Sequence, residues 1–558
     1  MGGSAAAWIM ALPPLVLAFL VFVLPYAASL VMGLGAGRAR LSLALQILPT
    51  LGFTLKQAAL STLAALALGI PGAWILSAPE TPGSGARPFP AFPVRRLLRS
   101  LSALPFALPP ILVVLGFVLF FGNSGWVNRI FTALGIADQG PLRILYRPEA
   151  IILAHGFYNF PLVLRLAGDS MESARRAYLP AAASLGASPL RALPILLPLC
   201  LPGIASAALL VFLYCFTSFA VVLVLGGGPG TSTLAVEIYR YARISLDYGA
   251  AGTLALFETA VILVVFLLYL FCENRLDRIN TTVDRNRVMT GRGDPLHYLA
   301  LGLYGLVMVF LALGPVVSIP LESLLQRATR AGQRGFSLYW WRLAGEGALP
   351  ALGRSLLLAF SSASLSCLLA ILAGGAGIAG TEAGTEGPNR RRVSLPGLLV
   401  KIATVSPLIS SGIVLGLGWL ILYGRENSRS FFAVMLIHAV AALPFAFHSV
   451  SQGLKGLAPT VMRAGTVFGA GPFTRMLTLA LPIASGRLRS AWAFAATISL
   501  GELNAIMMLG IDWETLPLYI YRAAGAYRYG AACAAGTLLI LCCFFLFLLS
   551  DIGGRRGT

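Results

Sequence analysis

Residues 233–240 read Thr-Leu-Ala-Val-Glu-Ile-Tyr-Arg, and residues 515–522 read Thr-Leu-Pro-Leu-Tyr-Ile-Tyr-Arg. The strings share Thr-Leu at the start and Ile-Tyr-Arg at the end, at an offset of 282. Working outward, Tyr248-Gly249-Ala250-Ala251 returns as Tyr529-Gly530-Ala531-Ala532. His155, Pro161 and Gly186 return as His438, Pro444 and Gly469, at an offset of 283. Separate matches at nearly one offset mark two copies of one structural unit.

Composition says where such units live. The chain has 558 residues, 58% hydrophobic and 11% charged, against about 45–50% and about 25% in soluble proteins. Apolar runs long enough to cross a bilayer fall near 7–33, 53–77, 100–121, 149–168, 195–225 and 250–272. Six more follow near 297–320, 351–380, 394–423, 430–450, 480–510 and 530–550. The expectation is an all-α polytopic membrane protein of about twelve spans, built as two parallel six-helix repeats. The repeats occupy 1–272 and 297–550, with a basic linker at 273–296 and a tail at 551–558. An even number of spans per copy gives both copies one orientation, with a pseudo-twofold axis along the membrane normal and a pathway between them.

The formal charge of +20 rests almost wholly on arginine, since only Lys56, Lys401 and Lys455 are lysines. The densest basic clusters are Arg87 to Arg99, Arg175 with Arg176 and Arg191, the linker, Arg390–Arg392 and 455–489. All fall on one side of the expected topology, which places both termini in the cytoplasm of a bacterial inner-membrane protein. The arginines are not interleaved with aromatics on one polar face, which argues against nucleic acid. The seven cysteines form no C-x-x-C pair and lie in or beside apolar runs, as small core residues do. The first apolar run lacks a basic leader and reads as a retained span. No metal site or catalytic constellation of the G-x-S-x-G or H-E-x-x-H kind is present. The lysines are followed by Gln57, Ile402 and Gly456, so no P-loop exists to cradle ATP.

The segment joining the fourth and fifth spans recurs in both copies. The second reads Arg463-Ala464-Gly465, then Gly469, then Leu479-Ala480-Leu481-Pro482. The first reads Pro180-Ala181-Ala182, then Gly186, then Leu197-Pro198. A short helix on the membrane face, a glycine turn and a leucine-proline opening the next span are the expected local structures. This pattern resembles the EAA loop of ABC-importer permeases, although Pro180 and Arg463 replace that family's glutamate. Four further stretches are similar to the fused thiamine-type permeases. They are Gly122-Asn123-Ser124-Gly125-Trp126; Leu153-Ala154-His155 with Asn159-Phe160-Pro161-Leu162; Ser499-Leu500-Gly501-Glu502-Leu503; and Thr515 to Tyr521 with Tyr527-Arg528. The family commonly carries aspartate where Glu502 stands.

The resemblance implies the type I ABC-importer permease fold and a role in ATP-driven import of thiamine or its phosphates. It further implies two copies of a separate ABC ATPase, which would bind ATP and Mg, docked at 170–194 and 453–479, and an extracytoplasmic solute-binding protein on the other face. The implied coupling residues are Ala181, Ala182, Gly186, Pro198, Ala464, Gly465, Gly469, Leu481 and Pro482. The ferric-iron permeases of the same fused family are the next resemblance. An ion-gradient-driven secondary transporter also shows twelve spans in two halves, but has no use for paired glycine-and-proline loops.

Candidate pathway groups are the polar residues inside the apolar runs, where charge is costly. Glu258, Glu502 and Ser499 read as path residues or as structural hydrogen-bonding groups. His155 and His438 read as symmetric metal ligands or as partners for backbone freed by Pro161 and Pro444. Asn159, with Tyr158 and Trp513, is a candidate for stacking on or hydrogen-bonding an aromatic solute.

Overall fold

In the computed structural model, residues 2–35, 39–77, 98, 108–136, 141–186, 193–226, 228–280, 295–327, 334–382, 394–455 and 459–555 are described. Among them ten helices are long and apolar enough to cross a bilayer. In chain order these are Ala5–Leu34, Ile47–Leu76, Pro110–Ala133, Pro148–Leu179, Pro194–Phe216, Tyr248–Glu273, Tyr298–Ser323, Tyr339–Ala379, Phe431–Leu454 and Tyr529–Leu549. The clusters Arg87 to Arg99 and Arg390–Arg392, and linker residues 281–294, lie outside the described residues. The stretch 273–280 continues the Tyr248–Asn280 helix.

Two expected spans take another form. The run expected as one helix over 394–423 is a pair, Leu395–Ile409 and Gly412–Ser428, meeting at 104°. Pro407 removes an amide hydrogen just before the break, and Ser411 starts the second helix by accepting the Val414 amide at 3.3 Å. The run expected over 480–510 is the 17-residue helix Ser485–Gly501, which stops at Glu502–Leu503 before a short helix Asn504–Leu509. An antiparallel hairpin pairs Leu325–Arg327 with Arg334–Phe336.

The first span of each repeat carries the same defect. The Gly2–Ala18 helix widens into a π turn at Phe19–Val23 before Leu24-Pro25, and Pro295–Met308 widens at Val309–Leu313 before Gly314-Pro315. Proline has no amide hydrogen and its ring crowds the carbonyl four residues back, so a locally wider turn relieves the clash. The cost is orphaned carbonyls, intolerable in lipid unless another group satisfies them. For Pro25 the two affected carbonyls are each taken from outside the helix. Trp419 Nε1 donates to the Val21 carbonyl at 2.9 Å, and the Tyr423 hydroxyl donates to that of Leu20 at 2.7 Å.

Those donors sit on the Gly412–Ser428 helix of the other repeat. Backbone contact there is close: a Cβ on Gly418 would lie 1.8 Å from the Pro25 carbonyl oxygen. The second copy repeats the arrangement, with Gly116 against the Pro315 carbonyl at 2.6 Å from such a Cβ. There Phe117 and Phe121 stand where Trp419 and Tyr423 do, and Phe310 packs on Phe120 and Phe121, with centroids 5.1 and 6.3 Å apart.

The chain accordingly forms two compact units that interleave the sequence halves. One comprises Met1–Leu43, Glu237–Leu256 and Ser323–Thr558; the other comprises Ala44–Val236 and Phe257–Glu322. Each joins one repeat's bundle to the other repeat's first span. In the second unit Tyr304 of the exchanged span donates to the Leu68 carbonyl at 3.0 Å, and Arg129 pairs with Glu322 at 2.6 Å. Replacing Gly418 with alanine forces a methyl group onto the Pro25 carbonyl. The expected destabilisation is about 1–3 kcal/mol, read as a lower unfolding midpoint of the purified chain in detergent; a wild-type midpoint would refute the contact.

Candidate functional site

Within each repeat a hydroxyl from the second span ties down the helix that precedes the last span. Thr54 Oγ1 accepts the Leu234 amide at 3.1 Å, and Ser355 Oγ accepts the Leu516 amide at 2.7 Å. Thr515 occupies the N-cap position of the Leu516–Gly525 helix without making a capping bond, so Ser355 supplies the acceptor. After the two helices so anchored, Leu246 and Tyr527 take left-handed φ values of 56° and 58°. Bulky side chains rarely adopt that conformation, and its recurrence shows the repeat extending to the backbone.

Two turns along the second spans, a second hydroxyl joins each candidate histidine's network, Ser61 directly and Ser362 through Ser499. His155 lies with Nδ1 3.4 Å from Ser61 Oγ and Nε2 2.8 Å from Ser218 Oγ. Asn159 Nδ2 donates to the His155 carbonyl at 3.0 Å, and Gln57 Nε2 donates to the Cys215 carbonyl at 2.8 Å. In the other unit His438 Nδ1 is 2.9 Å from Ser499 Oγ, which accepts from Ser362 at 2.8 Å. His155, His438, Asn159 and Ser499 are all buried. The expected bonds to backbone freed by Pro161 and Pro444 are replaced by bonds to hydroxyls: Ser61 and Ser218 lie against the His155 ring and Ser499 against the His438 ring. Among the described residues no cluster of three or more histidine, cysteine or acidic side chains is placed to hold a metal.

The carboxylates separate. Glu258 is buried on the Tyr248–Asn280 helix, in the unit that holds His155 and Asn159. Glu502 belongs with His438 and Ser499, where it accepts the Ala505 amide at 3.0 Å at the start of the Asn504–Leu509 helix. Its carboxyl oxygen thereby caps the N-terminus of that helix. Tyr158 donates to the Leu108 carbonyl at 3.4 Å, and Trp513 to that of Arg429 at 3.0 Å.

In the first copy the fourth span runs unbroken from Pro148 to Ser184, 37 residues. That is about 55 Å of helix, against roughly 30 Å of hydrocarbon, so Ala181 and Ala182 ride on a rigid extension of the span. No separate short helix forms there among the described residues. In the second copy the fourth span is described to Lys455, residues 456–458 lie outside the described residues, and the helix Pro459–Val467 carries Ala464 and Gly465. Both helices end at the expected glycine: Gly186 and Gly469 share a φ of 76°. Around Gly469 the Ala470 amide returns to the Gly465 carbonyl and the Gly469 amide to Thr466, both at 3.0 Å, a Schellman termination. The residues just before these glycines are apolar yet exposed: Leu185 is 87% exposed, Phe468 87% and Val467 84%.

Behind the tips, buried arginines brace each copy. Arg175 stacks 3.6 Å over Trp74 and donates to its carbonyl at 3.0 Å; Arg475 donates to Thr466 Oγ1 at 2.7 Å. Pro198 and Pro482 do not open the next span as expected. Helix is already running from Leu193 and from Pro472, since prolines at 194 and 472 are better placed for a first turn. A π turn at Met476–Ala480 then absorbs Pro482, as in the first spans.

Residues 85–278 match the family described as binding-protein-dependent transport system inner membrane component. The chain is 30% identical over 506 residues to the thiamine transport system permease protein ThiP of Brucella suis biovar 1, covering 89% of this chain and 86% of that protein. It is 26% identical over 476 residues to ThiP of Escherichia coli K12, covering 83% of each. With ThiP of Haemophilus influenzae it shares 29% over 462 residues, 80% of each. The chain belongs to this permease family. The permease is thus a multi-pass membrane protein of the fused, thiamine-type kind. Its sequence resemblance did not single out Thr54, Ser61, Ser355 or Ser362. Their signal was a hydroxyl pair seven residues apart in each second span, Thr54 with Ser61 and Ser355 with Ser362. Substituting Thr54 with valine, or Ser355 with alanine, removes an acceptor from a helix N-terminus. Each should cost about 1 kcal/mol, measured as a shift in thermal unfolding; unchanged stability in both would show that the anchors carry no load.

Proposed function

We propose that the permease is the membrane-spanning subunit of an ATP-driven importer for thiamine or its phosphates. Two copies of an ABC ATPase would dock on the Ala181–Gly186 and Ala464–Gly469 segments, and an extracytoplasmic binding protein would deliver solute to the opposite face. The observation that carries the reading is the pair of glycine-terminated helices presenting exposed Leu185 and Val467-Phe468. An exposed apolar knob on a rigid stem is what a partner's cleft can grip. The substrate follows from the likeness to permeases named for thiamine transport.

ATP-driven closure of the ATPases would push both segments. In the first copy the force enters a continuous helix held to the second span through Arg175 and Trp74. In the second it enters the helix Pro459–Val467, braced by Arg475. The spans then open toward the binding protein, and hydrolysis resets the inward-facing state. Glu258 and Glu502 are the carboxylates proposed for the path of a cationic solute. His155, Asn159, His438 and Ser499 hold the spans in register beside it.

Uptake of labelled thiamine, with ferric iron in parallel, tests this in cells with and without the permease, its ATPase and its binding protein. ATP-dependent thiamine accumulation requiring all three is the expected result. Iron accumulation instead would overturn the substrate, and uptake that survives ATP depletion but not loss of the ion gradient would overturn the mechanism. Changing Leu185 and Phe468 together to glutamate should weaken ATPase docking about thirtyfold or more, the effect of losing an interface anchor of about 2 kcal/mol. The pull-down of ATPase by wild-type and variant permease, at equal membrane levels, reads this directly.

A further inference from the structure

In the unit that holds the second coupling segment, three arginines converge at the other end of the fourth span. The Phe431–Lys455 helix has 25 residues, about 37 Å, so Arg429 lies across the bilayer from Lys455. Arg243 closes the Leu234–Arg243 helix and lays its guanidinium over Gly510. A Cβ at 510 would lie 2.0 Å from Arg243 Nη2, and Gly510 has a left-handed φ of 61°. Two residues on, Asp512 pairs with Arg429 at 2.9 Å, and Trp513 holds the Arg429 carbonyl. Arg425 precedes Arg429 by one helical turn and, with it, acts electrostatically on Arg243.

The charges do not balance. Three guanidiniums stand against two carboxylates, Asp512 paired with Arg429 and Glu426 beside Arg425, and Asp512 is itself 77% exposed. Of the acids in the flanking segments, Glu514 pairs with Arg522 at 2.6 Å, Glu237 pairs with Arg240 at 3.0 Å and Asp247 accepts the Ala250 amide at 2.9 Å, while Glu426 beside Arg425 is exposed. Among the described residues neither Arg243 nor Arg425 has an ion pair, and the buried Nε of Arg429 has no hydrogen-bond partner. Burial first, then the charges of Arg425 and Arg429, push the Arg243 pKa below its ordinary value. Arginine nevertheless stays charged at any physiological pH, so a partly desolvated positive field persists with a free donor inside it.

We propose that Arg243, Arg425 and Arg429, arrayed over the Gly510 turn, form an oxyanion site at the solute-entry mouth, and that its ligand is a phosphate group. The site rests on the proposed function, which makes this face the entry. Guanidinium forks match phosphate oxygens in geometry and charge. The Arg429 side chain is only 22% exposed behind the turn, a setting for a small group rather than a broad protein surface. Trp513, with Phe431 at a centroid distance of 6.0 Å, sets an aromatic surface alongside. Two sources offer the phosphate: the ester of a phosphorylated thiamine, or free inorganic phosphate. The same field repels an unesterified thiazolium cation, so the cluster discriminates between forms of the solute.

The test uses the complete transporter in proteoliposomes, with thiamine, thiamine monophosphate and thiamine pyrophosphate as solutes. The paired change Arg243→Gln with Arg425→Gln should lower uptake of the phosphorylated forms about tenfold more than uptake of thiamine, the effect of losing one charge-assisted contact. Arg243→Lys should recover part of that difference. Equal loss for all three solutes would overturn the site and assign these arginines to docking an acidic partner; no loss in a folded variant would overturn it as well. Broadening of the 31P resonance of inorganic phosphate or of thiamine pyrophosphate by the permease alone, abolished in the paired variant, distinguishes the sources. Failure of the wild type to import any thiamine compound would sink the functional reading, while the resonance measurement would still decide the site.

Discussion

A proline in the middle of a membrane span creates a debt that lipid cannot settle. Pro25 leaves backbone carbonyls at Leu20 and Val21 without their helical donors, and only a protein group can supply replacements at that depth. Trp419 and Tyr423 do so, from a helix that the sequence places in the other repeat. Their reach requires the two backbones to touch, which is why position 418 has no side chain. The exchange of first spans follows from this one contact and its counterpart at Gly116 and Pro315. A helix fastened through its own carbonyls cannot slide or rotate freely, so the span holding Pro25 moves with the bundle it has joined.

Hydroxyls do elsewhere what Trp419 and Tyr423 do at the proline. Thr54 and Ser355 satisfy the first amides of the helices that lead into the last spans. Ser61, Ser218, Ser362 and Ser499 surround the two histidines. Short hydroxyl side chains suit this work because they satisfy a polar group without holding helices apart. The histidine networks thereby differ from a metal centre in kind: each ring meets hydroxyls, whereas a metal site needs several convergent ligands. The polar interior of each bundle is a set of fasteners.

The two ends of the fourth spans divide the chemistry. One end is apolar at its tips, with Leu185, Val467 and Phe468 exposed on glycine-terminated helices. The other end, in the unit containing Arg429, sets Arg243 over the Gly510 turn and Arg429 against Asp512. The first of the paired segments extends its span as one helix from Pro148 to Ser184, while the second carries Ala464 and Gly465 on the helix Pro459–Val467.

The sequence by itself determined membrane residence, the repeat and the segment that ends in a left-handed glycine. Apolar runs of span length, the Thr-Leu and Ile-Tyr-Arg strings, and Gly186 with Gly469 report local or periodic physics, in which neighbours along the chain suffice. It also identified the buried polar residues, because charge and amide groups are conspicuous in an apolar run. Partnership was beyond its reach. Insertion of the Leu325–Phe336 hairpin in one copy and of the Trp126–Ala133 helix in the other shifts the repeat offset, hiding the match of Thr54 with Ser355 and of Pro25 with Pro315. Whether Pro25 breaks a span, whether a histidine faces backbone or serine, and whether three arginines from distant segments converge on one glycine depend on which helices pack together. Tertiary structure decided those matters, because an unsatisfied polar group in lipid is answered by whatever donor lies nearest in space.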